Sequence, residues 1–374
     1  MFVYRKEDLP KDPVFPAELD KLGYFINDKD QIRKISDPEQ EFQFKINRNP
    51  RWNELHREAM NECIRKIVST RLRDLGLVTL RLPLTSGPNK PHVPILVSKN
   101  LKTASRIILV FGEPVQDIGI WAYRTVGAEN INAGSVVDFA KAVLKPDESR
   151  VEDVALVFAN VGQLIWHCAS GCALTINSWM ALPRPSAVDS APIETKRNKI
   201  PGNENWQAHV TSVFNDILAA RGQLVREDAK IDIIGLAEGG LGAIQYLSMN
   251  WKTWRHNISA ICLSNPLHTK AANLTPQCDQ PTGPDSFISF IASRCRAYLL
   301  SNEPIGAPLF DSPEHGCNCY SSGEGLNVEC IMPKAWPHML KWLDRAYAES
   351  DYCEEQLEVI QVASAAEGEA DRKE

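Results

Sequence analysis

The sequence lacks several features that would point directly to a function. None of its apolar runs approaches the ~20 residues needed to span a bilayer. It does not open with a positively charged segment followed by an apolar one, so no secretory signal is predicted. It also contains no Walker loop, no H-E-x-x-H motif and no G-x-G-x-x-G fingerprint. We therefore expect no membrane span and no cofactor.

The sequence also has no excess of basic over acidic side chains, which the binding of nucleic acid would need. Residues 349–374 carry nine acidic and two basic side chains, a net −7, whereas the whole chain carries −6, so the remainder sums to +1. A nearly neutral body gives no electrostatic basis for holding a phosphate backbone. We expect no direct binding of nucleic acid, and we interpret residues 349–374 as a disordered acidic tail.

The ten cysteines do not form a recognisable zinc motif. Two segments concentrate thiols, WHCASGC at 166–172 and GCNCYSSGEGLNVEC at 316–330. Structural zinc sites use C-x₂₋₄-C pairs repeated at a set distance, and neither segment follows that spacing. We interpret these cysteines as reduced core or loop thiols and expect no metal site.

The sequence does contain a long alternation of strand and helix patterns. A continuous apolar run at 106–111 is typical of a strand covered on both faces, and further strands are predicted at 154–160, 230–236 and 258–265. Helical patterns occur at 135–145, 206–222 and 333–350. The alternation predicts an α/β fold with a mostly parallel central sheet flanked by helices.

The ends and long loops frame this α/β body. We interpret 1–16 as an N-terminal tail and 17–348 as one domain, which begins with a hairpin at 23–35 and an amphipathic helix at 52–75. The proline-rich stretches 181–205 and 266–285 interrupt the alternation, so we predict long loops that are mobile or ordered by a partner. Both are candidate docking segments.

One turn carries the strongest functional signal. GLAEGG at 235–240 follows a buried strand and precedes a helix, the arrangement of the G-x-S-x-G nucleophile elbow of α/β-hydrolases. Its apex, where a hydrolase has serine, is Ala237. An ordinary tight turn of a parallel sheet would give a similar pattern.

The order of several motifs resembles the argonaute-binding protein (Arb-two) domain family. The resemblance runs from ELDKLGYFINDKDQIRKI through ILVFGEPVQDIGIWAYR, IIGLAEGGLGAI and CLSNPLHT to SSGEGLN, over roughly residues 17–348. It implies an α/β-hydrolase-like fold. Fungal members of the family are subunits of an Argonaute complex in RNA-directed heterochromatin assembly, and the animal cotranscriptional regulators are similar.

The family pattern also implies a site that this sequence has altered. The pattern has a histidine before the oxyanion-loop glycine, a serine at the elbow, an aspartate after the next strand and a histidine near the C-terminus. Here Phe111 precedes Gly112, Ala237 replaces the serine, Asn265 the aspartate and Asn327 the last histidine. These groups cannot act as nucleophile, base or orienting acid near neutral pH.

Two other residues could rescue catalysis. Glu238 follows the apex, and carboxylate nucleophiles exist, although a carboxylate at a helix start is more often a helix-stabilising group. His268 lies three residues after Asn265 and is more simply a loop hydrogen-bonding residue.

The resemblance implies a non-catalytic, protein-binding function. The implied partners are an Argonaute protein and a second adaptor subunit, in the nucleus and cytoplasm. The alternatives are a serine-independent esterase-like or amidase-like hydrolase and a pseudoenzyme that binds a small molecule in the emptied catalytic pocket.

Overall fold

The chain begins with a small antiparallel sheet and a long helix. The computed structural model describes residues 5, 8–144, 153–274, 280–310, 312–355 and 357. Its first elements are β1 (Tyr24–Ile26), β2 (Ile32–Lys34), β3 (Asp37–Glu41) and α1 (Pro50–Asp74). The hairpin β1–β2 and helix α1 confirm the sequence prediction. Strand β3 was not predicted because its sequence, DPEQE, contains no apolar residue.

Helix α1 begins for local reasons. The Asn49 side chain accepts a hydrogen bond from the Arg51 N–H at 2.9 Å, and Pro50 occupies the first turn, where a missing N–H costs little. The predicted amphipathic helix starts at Trp52, but this residue does not lie on the buried face. Trp52 is exposed, and its ring packs at 80° to the ring of Phe15, with the ring centroids 5.8 Å apart.

The remaining elements follow the predicted alternation, with additions. The strands are β4 (Leu77–Leu82), β5 (Val93–Ser98), β6 (Arg106–Phe111), β7 (Val154–Ala159), β8 (Ile165–His167), β9 (Cys172–Leu174), β10 (Lys230–Leu236), β11 (Ile258–Ser264), β12 (Cys295–Leu299), β13 (Pro308–Leu309) and β14 (Asn318–Ser321). The helices are α2 (Tyr123–Ala128), α3 (Val137–Leu144), α4 (Ile176–Met180), α5 (Trp206–Ser212), α6 (Ala237–Trp254), α7 (Lys270–Asn273), α8 (Phe287–Arg294) and α9 (Ile331–Ala348). The predicted helix at 206–222 is α5 continued by a π-helical stretch, Val213–Leu218.

Among the described residues, nine strands form one large sheet. Their order is β13-β14-β12-β11-β10-β6-β7-β5-β4. The six adjacent strands from β14 to β7 are parallel to one another, whereas β5 is antiparallel to both β7 and β4. This is the mostly parallel sheet that the apolar runs predict, because β6, β7 and β11 are buried along their whole length.

Helices cover both faces of the sheet. One apolar core lies between the sheet and helices α1, α3 and α9, and the other between the sheet and helices α5, α6 and α8. Alternate residues of β6 contribute to each core: Ile108 and Val110 to the first, Leu109 and Phe111 to the second. The carboxyl ends of the parallel strands therefore meet at one edge, between two helical layers.

A buried charge cluster joins the start of β6 to distant parts of the chain. The Arg106 Nε donates to Asp232 at 2.6 Å and its Nη1 to Asp344 at 2.7 Å, and its guanidinium lies 4.6 Å from the centre of the Tyr347 ring. Arg106 and Asp232 are buried. Removing one partner would leave an uncompensated charge in the core.

The N-terminal segment packs against the domain instead of forming a free tail. Both oxygens of the Asp12 carboxylate accept from the buried Arg51, each at 2.8 Å, and one also accepts from the Arg184 N–H at 2.9 Å. Residues 8–16 are therefore tied to both α1 and the 181–205 loop.

The 181–205 loop is ordered by the chain itself. The Asn198 amide donates to the Trp166 carbonyl at 2.8 Å, and the Trp179 indole N–H donates to the Pro192 carbonyl at 2.8 Å. Residues 196–198 form a 3₁₀ turn with a capping box. The second predicted loop, 266–285, contains α7 and a 3₁₀ turn at 283–285, and its residues 275–279 lie outside the described part.

The first part of the predicted acidic tail also packs on the domain. The buried Glu354 carboxylate accepts from the Arg296 Nε at 2.8 Å and from the Trp342 indole N–H at 3.1 Å. The hydroxyls of Tyr320 and Tyr352 donate to the same carboxylate. An ordered segment thus extends to residue 355, whereas 356 and 358–374 lie outside the described residues.

Candidate functional site

The turn between β10 and α6 has the geometry of a nucleophile elbow. Ala237, at its apex, has φ +41°, a left-handed conformation that is strained for any residue with a side chain. A Cβ atom on Gly235 would lie 2.4 Å from the Gly240 Cα, so strand and helix can approach this closely only with glycine there. The sequence thus predicts the turn correctly, and its strained apex carries a methyl group.

The elbow contacts the loop that follows β6. A Cβ atom on Gly239 would lie 2.2 Å from the Gly112 carbonyl oxygen. In hydrolases this loop and the residue after the apex supply the oxyanion-hole N–H groups. The structure therefore brings together the two glycine-containing segments that the sequence selected.

Phe111 contributes to the core and not to the site. It is the last residue of β6 and is fully buried, and its ring stacks on Phe214 with the ring centroids 5.8 Å apart. An imidazole at this position would be desolvated among apolar groups. The replacement of histidine by phenylalanine is consistent with this packing.

Asn265 and Asn327 lie at the same edge of the sheet as the elbow. Asn265 directly follows β11 with φ +49°, a conformation that asparagine tolerates, and its N–H donates to the Tyr298 carbonyl at 3.0 Å. Asn327 follows β14, and its N–H donates to the Glu324 carboxylate at 3.0 Å. Because β10, β11 and β14 are parallel, their carboxyl ends converge.

Glu113 is the residue that sequence reasoning missed. It directly follows Gly112, is only 9% exposed, and its side chain has no hydrogen-bond or ion-pair partner among the described residues. Burial raises the pKa of its carboxyl to about 7, and the negative charges of Glu238 and Glu329 add to the effect. An acidic residue directly after the oxyanion-loop glycine was the available signal. A near-neutral pKa is common at functional sites, although it does not by itself establish a reaction.

The N-terminal extension holds the oxyanion loop in place. Asp117, in that loop, is buried and accepts from the Arg65 guanidinium of α1 at 3.0 Å. It also accepts from the Tyr123 hydroxyl at 2.6 Å and the Gln163 amide at 3.0 Å. Helix α1 is therefore part of the support for the site.

His268 is engaged in fixing two loops. Its Nε2 donates to the His315 carbonyl at 2.8 Å, and the His315 Nδ1 donates to the His268 carbonyl at 2.9 Å. Burial lowers the pKa of His268 to about 4, so the ring is neutral near pH 7. With Nε2 bonded to a backbone carbonyl, His268 links its loop to the segment before β14.

The two cysteine-containing segments show no metal-binding arrangement. Within the described ranges, no three His, Cys, Asp or Glu side chains are placed to hold one ion. Cys172 instead lies 2.9 Å from the Ser170 hydroxyl, and Cys330 accepts from the Thr125 hydroxyl at 3.4 Å. None of the helices in the described part of the chain is both long and apolar enough to cross a membrane.

The sheet and the elbow together define the class of protein. A mostly parallel sheet with one inner antiparallel strand, a strained turn from a buried strand into a helix, and a glycine loop beside that turn define an α/β-hydrolase-like fold. The chain belongs to the Arb2 domain family, which it matches over residues 15–305.

Several known proteins with similar sequences are named as cotranscriptional regulators. The chain is 30% identical over 161 residues to the human cotranscriptional regulator ARB2A, covering 40% of this chain and 38% of that protein. It is 21% identical to the Dictyostelium discoideum homologue, covering 82% of this chain and 74% of that protein. The chain thus matches less than half the length of the human relative. Among solved structures, a histone deacetylase chain from Saccharomyces cerevisiae is similar, with 15% identity, a TM-score of 0.44, and coverage of 77% of this chain and 98% of that one.

Proposed function

We propose that this chain is a non-catalytic, protein-binding regulator of gene expression that acts in small-RNA-directed silencing as a subunit of an Argonaute-containing complex. Membership of the Arb2 domain family and the relatives named as cotranscriptional regulators support the regulatory role. The motif order described above supports the Argonaute partner, the second adaptor subunit and a location in nucleus and cytoplasm.

The observation that supports a non-catalytic function is the alanine, Ala237, at the apex of the elbow. The elbow keeps its strained backbone, so the apex side chain occupies the nucleophile position, yet it has no atom that can attack a carbonyl carbon. Asn265 and Asn327 cannot take up a proton near neutral pH. The fold therefore supports a binding function, and not catalysis, at the carboxyl edge of the sheet, where α/β-hydrolases have their active site.

An activity assay tests this part of the proposal. We expect no turnover of ester or amide substrates by the purified protein or by Ala237→Ser, because a base and an orienting acid are also missing. Turnover by the wild-type protein that disappears in Glu113→Gln or Glu238→Gln would favour a serine-independent hydrolase.

The partner proposal is tested in the protein's own cells. Tagged protein should co-purify with an Argonaute protein and a second adaptor, and should be found in the nucleus. Isolated protein should bind small RNA weakly, because its charge outside residues 349–374 sums to +1. Sub-micromolar RNA affinity at physiological salt, or recovery without any Argonaute, would contradict the proposal.

We place a partner contact on the 181–205 loop. Val188 and Ile193 are exposed aliphatic residues on a backbone that internal hydrogen bonds already hold, so binding would order few additional groups. Deleting 183–200 would remove those internal bonds, so point changes are the sharper test. Val188→Ser with Ile193→Ser should leave the melting temperature unchanged and weaken partner recovery.

A matched control is available on α6. Met249 is another exposed apolar side chain, and Met249→Ser should change neither folding nor partner recovery. Full recovery of every partner by the Val188/Ile193 double variant would rule out this loop as the contact.

A further inference from the structure

A cavity of about 550 Å³ lies between the N-terminal sheet, α1 and α2. Its accessible apolar lining is formed by Phe42, Phe44, Tyr123 and Ala128, whereas Ile32, Met60 and Val126, which also border it, are fully buried. The volume falls within the range of roughly 300–1,000 Å³ typical of small-molecule sites. None of the elbow residues 235–240 contributes to its wall, so this cavity is separate from the emptied catalytic position.

One face of α1 provides both apolar and polar groups to the cavity. Arg57, Met60, Asn61 and Ile64 all line it, and their spacing of i, i+3, i+4 and i+7 places them on one side of the helix. The polar pair is one helical turn apart, beside the apolar pair. This arrangement suits a ligand with an apolar body and a polar end.

Arg57 is oriented by an aromatic ring and has no acidic partner. Its guanidinium carbon lies 4.9 Å from the centre of the Phe44 ring. No carboxylate of the described residues lies within 4.0 Å of its nitrogen atoms, and none of its N–H groups has a described acceptor. Stacking uses the face of a guanidinium and leaves the donors at its edge free for a carboxylate.

Asn61 is the second polar group. It is only 8% exposed, yet its amide makes no hydrogen bond to the described residues. Buried amides are normally paired, so an unpaired one facing a cavity is a candidate ligand contact. At the other end Arg124 is already paired with Glu329 at 2.9 Å, and Glu41 is exposed, where solvent screens its charge.

We propose that this cavity is a binding site for a small carboxylate with an apolar body. The carboxylate pairs with the Arg57 guanidinium, the Asn61 amide donates to the same ligand, and the apolar body lies against Phe42, Phe44 and Tyr123. The site is independent of the partner surfaces proposed above.

Calorimetry with 1-naphthylacetate as the probe tests the site. A ligand of this size with ordinary efficiency should bind with a Kd of about 1 mM or tighter. Its neutral analogue 1-naphthylacetamide should bind about tenfold more weakly, because it cannot form the charge-assisted bonds. Equal binding of the two probes, or no binding of the carboxylate, would overturn the proposal.

Variants separate this site from nonspecific binding. Arg57→Gln should weaken naphthylacetate binding about tenfold and abolish the preference over the amide, whereas Arg73→Gln, at an exposed position on α1, should change neither. Gly127→Leu should block both probes, because a Cβ atom at Gly127 points into open space beside the cavity. The same substitution favours helix α2, so the protein should stay folded. Unchanged binding in Arg57→Gln or Gly127→Leu would place the probe elsewhere.

Discussion

Replacing Glu113 with glutamine should stabilise the protein at alkaline pH. In the folded chain, burial raises the pKa of Glu113 from 4.5 to about 7, so between these values the folded state holds a proton that the unfolded state has lost. The free energy of unfolding therefore falls as pH rises through this window, and the loss is complete above pH 7. At about 1.4 kcal/mol for each unit of pKa, that loss reaches about 3 kcal/mol.

Urea unfolding followed by tryptophan fluorescence measures the effect. Glutamine has nearly the shape of the protonated side chain and no charge to desolvate, so Glu113→Gln should exceed wild type by about 3 kcal/mol at pH 8 and by only about 1 kcal/mol at pH 5. Comparing the two proteins at each pH cancels the contribution of other titrating groups.

Glu303→Gln is the matched control for this experiment. Glu303 is exposed, so its substitution should change stability little at either pH. If Glu113→Gln gave the same difference from wild type at pH 5 and pH 8, or destabilised the protein at pH 8, the pKa of Glu113 would not be raised in the folded state and the reasoning would fail.

Three further predictions concern stability. Gly239→Ala should destabilise by about 2 kcal/mol or more, because its Cβ would lie 2.2 Å from a backbone oxygen, whereas Gly127→Ala, with open space at that atom, should have little effect in thermal melts. Glu354→Gln should lower the free energy of unfolding in urea by about 3–5 kcal/mol, because it leaves the largely buried Arg296 guanidinium without its carboxylate. Glu355→Gln, at an exposed position, should change it little. Burial lowers the pKa of His209 from 6.5 to about 3, so below pH 6.5 the unfolded chain takes up a proton before the folded chain and the free energy of unfolding falls. His209→Gln should reduce this fall when urea unfolding is measured between pH 6.5 and pH 4.

The central architecture was predictable because its signals are local. Strands β6, β7, β10 and β11 are almost entirely buried, so apolar residues dominate their sequences and make the strands detectable, even though Asp232 lies within β10. Strand β12, CRAYL, was missed because an arginine interrupts it. That arginine, Arg296, binds Glu354, a pairing across 58 residues that no local pattern shows.

The same difference between local patterns and long-range contacts explains which features of the candidate site could be predicted. The elbow was visible because the strained turn imposes glycines at fixed spacing around Ala237. The position of Glu113 after the oxyanion-loop glycine can be read from the sequence, but its near-neutral pKa depends on burial between separate parts of the chain. The order of the 181–205 loop depends on contacts such as the hydrogen bond from the Asn198 amide to the Trp166 carbonyl, whose partners are 32 residues apart.

The buried position of Arg106 has a consequence for how the chain folds during synthesis. Its two carboxylate partners, Asp232 and Asp344, follow it by 126 and 238 residues. Until those residues leave the ribosome, the first residue of a central strand carries a charge that favours water over the sheet. Contacts between such distant positions are entropically costly to close and slow to form. We therefore expect β6 to settle into the sheet only after helix α9 has been made, so that nascent chains expose its apolar residues and depend on chaperones until then.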